Sequence, residues 1–416
     1  MNWDVYLRVS ALMFLEFAVW GAWMPVLALR LLGPMKMSGK QTGWIYATFP
    51  LACIFSPLVS GYLADKYVNA EWVILVSHVI GAVLLVIAAK QTKFTGMFVA
   101  MFAYSVCYTA TLPLVNAVLF RQLPKADWPL VFLWAPVAWA LVGYLLTGIR
   151  QVRKLGGDGP DSLYMAAVLS LLMALVCLVQ IPTPPKGDAA SVANPMSEAL
   201  GMLANPSYLV FMLTQLVVVG MQQFYFLGTG QFMQDRGISG KNVSAAMAIA
   251  QAVQAVATFF CLGWLLKNAG FQWTFALGSA CWTVLFTTYI LNKANVGTIT
   301  IQAFHGLAYV FFVIAGQAFV GEMAPDTCGF SASAQSVLFI ATSGIGLFVG
   351  TQLAGFVMQK NCIAGKFQWQ KIWVVPLVIT LAGAIVFAAA FKAPDPKDFL
   401  QKEKPRQEKA VAAALV

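Results

Sequence analysis

Long apolar runs separated by short polar breaks dominate the chain. They fall at roughly 7–32, 41–64, 72–90, 95–120, 129–149 and 161–181, then at roughly 207–233, 239–266, 272–292, 297–321, 331–358 and 371–391. Each is near the about 20 residues that a helix needs to cross the hydrocarbon of a bilayer. The runs are continuous rather than alternating, which excludes a transmembrane β-barrel. The pattern predicts an all-α integral membrane protein of twelve spanning helices. One longer polar stretch, 182–206, contains Pro182-Thr-Pro-Pro-Lys-Gly-Asp188, and a charged tail follows from Lys392. The expected organisation is a six-helix half over 1–181, a connecting loop over 182–206, a second six-helix half over 207–391 and a tail over 392–416.

Composition agrees with this and removes other classes. Of 416 residues, 60% are hydrophobic and 10% charged, against about 45–50% and about 25% in soluble domains. A soluble enzyme or a disordered chain is excluded. The net charge of +10 is no nucleic-acid footprint, because six of the 26 basic residues lie in the tail and the rest are scattered over loops. Anionic lipid headgroups account for such residues. With the N-terminus inside, twelve basic residues fall on that side and fourteen, including Arg150, Arg153 and Lys154, on the other. The positive-inside rule therefore does not choose an orientation, though an even span count puts both termini on one side. The seven cysteines form no CxxC pair and read as small hydrophobes. The first run lacks a cleavage site and reads as a retained helix.

The two halves carry a trace of repetition. Gly61-Tyr-Leu-Ala-Asp65-Lys66 ends the second run, and Gly263-Trp-Leu-Leu-Lys267 ends the eighth, 202 positions on. Paired halves of this kind are a transporter design. Gly61-x-Leu-Ala-Asp65-Lys66 resembles the loop signature of the major facilitator superfamily. There the glycine allows close helix approach, and the carboxylate sits at a helix N-terminus, expected here to be that of the eleventh helix. Gly61, Asp65 and Lys66 are thus expected to form a conformational motif.

A closer resemblance, over almost the whole chain, is to the nucleoside:proton symporter family. It rests on Leu15-Glu16-Phe17-Ala-Val-Trp20-Gly21-Ala-Trp23, Ala64-Asp65-Lys66-Tyr-Val-Asn-Ala70-x-Trp72, Tyr108-x-x-Thr111-Leu112, Ala332-Ser333-Ala334-Gln335 and Trp369-Gln370-x-Ile372-Trp373, in order. It implies a multi-pass carrier of the cytoplasmic (inner) membrane with both termini cytoplasmic, expected to act as a monomer. It also implies substrate contacts at Gln223, Gln251, His305, Tyr309 and Trp139. Three charged positions of the family are neutral here. Its fifth-helix Arg falls on Phe132, its eighth-helix Glu on Gln254 and its tenth-helix Asp on Val310. The Glu16 position carries a Gln in those symporters.

Charge inside hydrocarbon costs roughly 2.5–3.5 kcal/mol per residue on insertion scales, so intramembrane ionisable groups are functional candidates by default. Glu16 is the one acid placed deep in a run, and no Lys or Arg lies well inside any span to pair with it. Proton coupling, substrate hydrogen bonding and a structural role all remain open for it. His78 reads as a satisfied structural histidine. His305 lies four residues before Tyr309 on one helix face and reads as cavity-lining. Gln251 and Gln254 share a face of the eighth helix, and their amides suit sugar hydroxyls and base edges. Trp20, Trp134 and Trp139 are candidate stacking rings.

The function expected is secondary transport of a small neutral polar solute by alternating access. A nucleoside comes first and a sugar-like solute second, with protons as a further partner through Glu16 or, alternatively, no coupling at all. No GxxxxGK[ST] loop occurs, which argues against an ATP-driven pump. No ligand spacing for a metal and no catalytic residue set is evident, so no cofactor is expected. A membrane enzyme or a receptor is the remote alternative.

Overall fold

The computed structural model describes residues 2–124, 127–185, 199–292, 294–323 and 330–395, with the side chains of Asp65 and residues 330–332 excepted. The first half comprises α1 (Trp3–Leu32), α2 (Gly39–Lys66), α3 (Ala70–Ala89), α4 (Phe94–Gln122), α5 (Trp128–Val152) and α6 (Asp161–Cys177). The second comprises α7 (Pro206–Asp235), α8 (Gly240–Phe260), α9 (Leu262–Leu291), α10 (Asn295–Met323), α11 (Ser333–Lys360) and α12 (Trp369–Ala390). Among the described residues eleven helices are long and apolar enough to cross a membrane, and α6, with 17 residues, is shorter. The predicted runs and the helices agree within a few residues, with one exception. The apolar run 239–266 is not one element. The chain breaks at Cys261, and a second break follows at Gly270, where φ is 70° and ψ is 178°. Hydropathy cannot mark the break at Cys261, because the residues on both sides are apolar, whereas the break at Gly270 falls in the polar gap between the predicted runs 239–266 and 272–292.

Sequence-local devices start and repair the helices. Ser38 and Gln41 form a reciprocal capping box at the start of α2, which satisfies two of the orphan groups of that end. Asn205 accepts from Ser207 and Tyr208 ahead of Pro206 at the start of α7. Pro25 interrupts α1, since it supplies no amide hydrogen. Tyr46 of α2 spans the break. Its hydroxyl donates to the Met24 carbonyl at 2.9 Å and accepts from the Ala28 amide at 3.0 Å. In a bilayer no water could do this, so a neighbouring side chain must. Between α11 and α12, β1 (Cys362–Ile363) and β2 (Lys366–Phe367) pair antiparallel with Cys362 opposite Phe367. Ala364 and Gly365 between them both have positive φ, as a two-residue type I′ turn requires.

The halves meet through α2 with α11 and α5 with α8, toward the end remote from the termini. Small residues allow the backbones to approach. A Cβ on Gly43 would lie 2.8 Å from the Thr351 carbonyl oxygen, and one on Gly143 would lie 2.8 Å from the Ala248 Cβ. Arg150 fastens the same end. It was expected in a loop, yet it is wholly buried, with Nε 2.5 Å from Asp161 Oδ2 and Nη1 donating to Ser244 Oγ at 2.9 Å. A basic residue two positions from a helix end reads as loop in a linear sequence. Here the start of α6 and the start of α8 enclose it.

Gly61 does the opposite of what its signature suggests. A Cβ there would meet nothing within 4 Å, and the same holds for Gly263. Among the described residues no helix is packed against either glycine, and the close inter-half crossings lie at the other end. The Lys66 ammonium sits 5.3 Å from the centre of the Tyr62 ring. The expected seat of the Asp65 carboxylate lies outside the described side chains.

Two glycine substitutions separate these environments. A Cβ on Gly350 would collide with the Gly220 backbone of α7, so Gly350→Val is expected to destabilise by about 1–3 kcal/mol through overpacking. Gly61→Ala is expected to leave the melting temperature unchanged. Thermal unfolding in detergent checks both.

Candidate functional site

Between the halves a line of aromatic rings runs from α2 to α10. Trp20 of α1 stacks on Phe49 of α2 with centroids 4.5 Å apart and meets Trp139 of α5 at 5.0 Å. Trp139 reaches Phe226 of α7 at 6.3 Å, and Phe226 meets the edge of His305 of α10 at 5.6 Å. Tyr225 lies flat against His305, centroids 3.8 Å apart and planes within 7°. Like Trp44 of α2 and Phe348 of α11, whose centroids are 6.1 Å apart, Trp139 is therefore a ring at which the two halves touch. Gly21 makes this possible, since a Cβ there would lie 2.8 Å from Trp139 Cγ.

Polar groups of the second half cluster beside these rings. Gly306 brings α10 directly onto the Ala250 carbonyl and the Gln254 amide of α8, which sets His305 next to the turn bearing Gln251 and Gln254. Both glutamines and Gln223 of α7 are buried. The hydrogen-bond pattern fixes the His305 tautomer. Trp282 Nε1 can only donate, and it lies 3.1 Å from His305 Nδ1, so the neutral ring carries its hydrogen on Nε2. That Nε2 has no partner, and neither do Oε1 and Nε2 of Gln223, Oε1 of Gln251 or the Tyr225 hydroxyl. Buried polar atoms left unpaired cost about 1–3 kcal/mol each. Together these atoms of α7, α8 and α10 offer two donors, two acceptors and a hydroxyl, none of them charged.

Backbone irregularity marks the same region. Residues Tyr309–Ile314 form a π-helical turn of α10, a feature frequent at functional sites. Its Phe312 carbonyl accepts from the Gln215 amide of α7 at 3.1 Å. Tyr309 opens this turn and is half-buried. Val310, at one of the neutralised positions, is buried within it. Phe132 is exposed and packs on Phe120. Trp134 lies apart from the cluster, its Nε1 donating to the Tyr6 hydroxyl at 3.1 Å.

Glu16 is not unpaired, as its isolation from Lys and Arg suggested. Its Oε2 lies 3.1 Å from His78 Nε2 of α3, and its Oε1 accepts from the Thr111 hydroxyl of α4 at 2.7 Å. Both ionisable groups are buried. Glu16 thus faces inward among the helices of its own half, away from the amide cluster. His78 is satisfied, as expected, and its partner is the acid. Both lie in apolar runs, and weighing histidine as a partner alongside Lys and Arg would have joined them. Tyr225 carried no such sign beyond its place one turn after Gln222. Among the described residues no three His, Cys, Asp or Glu side chains converge to hold a metal.

Comparison with known proteins adds the following. The family model described as nucleoside H+ symporter matches residues 3–396. The nucleoside permease NupG of Escherichia coli K12 is 26% identical over 407 residues, covering 94% of this chain and 96% of the permease. The xanthosine permease of the same organism is 25% identical over 406 residues, covering 94% and 96%. A crystal structure of the nucleoside transporter NupG superposes with a TM-score of 0.80 at 23% identity, over 95% of this chain and all of the other. That likeness shows the fold, two six-helix halves of the major facilitator type.

The unpartnered amides give a prediction of unusual sign. Gln223→Leu is expected to keep or raise the stability of the unliganded protein, because no bond is lost. It is expected to weaken solute binding by about 1–3 kcal/mol, and Gln251→Ala to weaken it by a similar amount. Melting curves and equilibrium binding on the same preparations check this. Unchanged affinity in both folded variants would take these residues out of the site.

Proposed function

The chain belongs to the nucleoside H+ symporter family, and we propose that it carries a nucleoside across the cytoplasmic membrane by alternating access, with both termini on the cytoplasmic side. The observation that carries this reading is the union of flat aromatic faces with unpaired neutral donors and acceptors. Tyr225 and His305 supply one stacked plane, and Trp139 and Phe226 another surface beside it. Gln223, Gln251 and the His305 Nε2–H supply groups that match base edges and ribose hydroxyls. Gln254 and Tyr309 flank them. Where the family has charged residues this chain has Phe132, Gln254 and Val310, so recognition rests on amides and rings rather than on ion pairs.

A sugar-like solute is the second reading, favoured by the same amides. It offers hydroxyls but no planar base to lie against the rings, which is why the nucleoside comes first. In either case this state exchanges solute with the side of the termini, since the opposite end is closed by Arg150, Asp161 and Ser244 and by Thr147, whose hydroxyl accepts from the Ala245 amide at 3.0 Å. Exchange with the opposite side requires these inter-half bonds to break while the Gly61 end closes. A motion of one half against the other about a fixed central site is the general scheme for such carriers.

A panel of nucleosides and monosaccharides, screened by thermal shift, tests the reading. A ligand at 100 times its Kd stabilises by about 2.7 kcal/mol. At least one nucleoside is expected to raise the melting temperature and to support counterflow in proteoliposomes, with sugars inert in both. Stabilisation and counterflow by a sugar alone would transfer the assignment to the second reading.

A further inference from the structure

The buried acid of the first half has a different environment from the solute-facing amides, and the transport reading leaves it unused. Its two oxygens are each served. His78 Nε2 stands 3.1 Å from Oε2, and the Thr111 hydroxyl stands 2.7 Å from Oε1. The same hydroxyl is 2.6 Å from the Tyr108 carbonyl. Thr111 has one hydrogen and two acceptors within reach. Beside an ionised Glu16 it donates to the carboxylate. Beside a protonated Glu16 it turns to the Tyr108 carbonyl and accepts the carboxyl hydrogen. A hydroxyl is both donor and acceptor, so each protonation state leaves both carboxyl oxygens hydrogen-bonded. The Tyr108 hydroxyl meanwhile holds the Glu16 backbone carbonyl at 2.7 Å, which keeps α1 and α4 in register throughout.

Few titratable groups surround the pair. On α3 the titratable group facing Glu16 is His78; on α4 they are Tyr104 and Tyr108, and on α6 Cys177. On α5 Tyr144 is exposed, and Arg150 is held at the far end by Asp161 and Ser244. The pair is also mechanically placed. Trp20 follows Glu16 by four residues, on the same face of α1. It stacks on Phe49 and abuts Trp139, which touches Phe226 of the other half. A shift of α1 at Glu16 therefore reaches the inter-half contact through one side chain.

We propose that the Glu16–His78 pair takes up and releases the proton that this carrier moves with its solute; the inference rests on the transport reading above. The balance is simple. The ionised carboxylate with a neutral imidazole gains one proton from water on the open side. It becomes either a carboxyl with a neutral imidazole or a carboxylate with an imidazolium. It returns that proton to water on the opposite side after the halves have moved. No bond other than to that hydrogen is made or broken.

Proteoliposomes separate the two readings. In the wild type, counterflow reports solute exchange, and an imposed pH gradient is expected to raise internal nucleoside above the outside concentration. Glu16→Gln keeps the shape and the Thr111 bond but cannot titrate. It is expected to lose gradient-driven accumulation, reaching only the outside concentration, while exchange of internal for external nucleoside persists. His78→Gln is expected to lose accumulation as well. Accumulation by Glu16→Gln equal to the wild type overturns the proposal. Wild-type counterflow without gradient-driven accumulation overturns it too while sparing the transport reading, and absence of wild-type counterflow with every nucleoside removes both. A measurement on the unmodified protein guards against a variant that fails to fold. In weakly buffered solution, nucleoside binding must exchange protons with the medium at some pH, because coupled binding is reciprocal. No exchange at any pH at which the protein is folded overturns the proposal.

Discussion

Hydrocarbon offers no water to a buried polar group, and this one constraint orders the whole molecule. Most polar side chains inside the helices obey it in pairs. Tyr46 repairs the Pro25 break of α1, Ser60 of α2 donates to the Ala110 carbonyl of α4, and Gln215 caps the carbonyl exposed by the π-helical turn of α10. Unpaired buried atoms remain in both halves, Ser10, Thr42, Thr109 and Gln352 among them, and those of Gln223, Gln251, Tyr225 and His305 lie on α7, α8 and α10. Glu16 shows the opposite departure, with more hydrogen-bonding options than one protonation state needs.

The two departures lie in different halves, and this suggests a division of labour. The unpaired amides of Gln223 and Gln251 are borne by α7 and α8 and the unpaired imidazole of His305 by α10, and the acid with its histidine by α1 and α3. Between them stands Trp139, touched by Trp20 from one half and Phe226 from the other. The structure is joined at the end remote from the termini, where small residues let α2 meet α11 and α5 meet α8, and where Arg150 bridges Asp161 and Ser244. A buried arginine at this joint is costly to desolvate unless its partners stay in place. Such a bond is well suited to hold one state and to break in the next.

The sequence made the spans legible because hydropathy follows burial in lipid directly. It hid the break between α8 and α9, since an apolar stretch looks the same whether straight or bent. It also placed Arg150 in a loop, because proximity to a helix end is a linear property and burial is not. The Gly61 signature was visible, but among the described residues nothing lies within 4 Å of a Cβ placed there. Glu16 was found by its charge alone, whereas its pairing with His78 needed the fold to bring positions 62 residues apart together. The proposed solute contacts were reached mainly through family resemblance; periodicity placed Gln251 and Gln254 on one face but could not separate binding from helix-to-helix hydrogen bonding. Tyr225 was missed because an aromatic in an apolar helix is indistinguishable from core until its neighbour is known.

The central claim is that the unpaired polar atoms of the second half are the contacts of a nucleoside. A structure determined with a nucleoside bound tests it most directly. The account predicts the base lying against the aromatic surface formed with His305, with hydrogen bonds to the Gln223 and Gln251 amides and to His305 Nε2. A nucleoside bound elsewhere, with the Gln223 amide still unpaired, would contradict it.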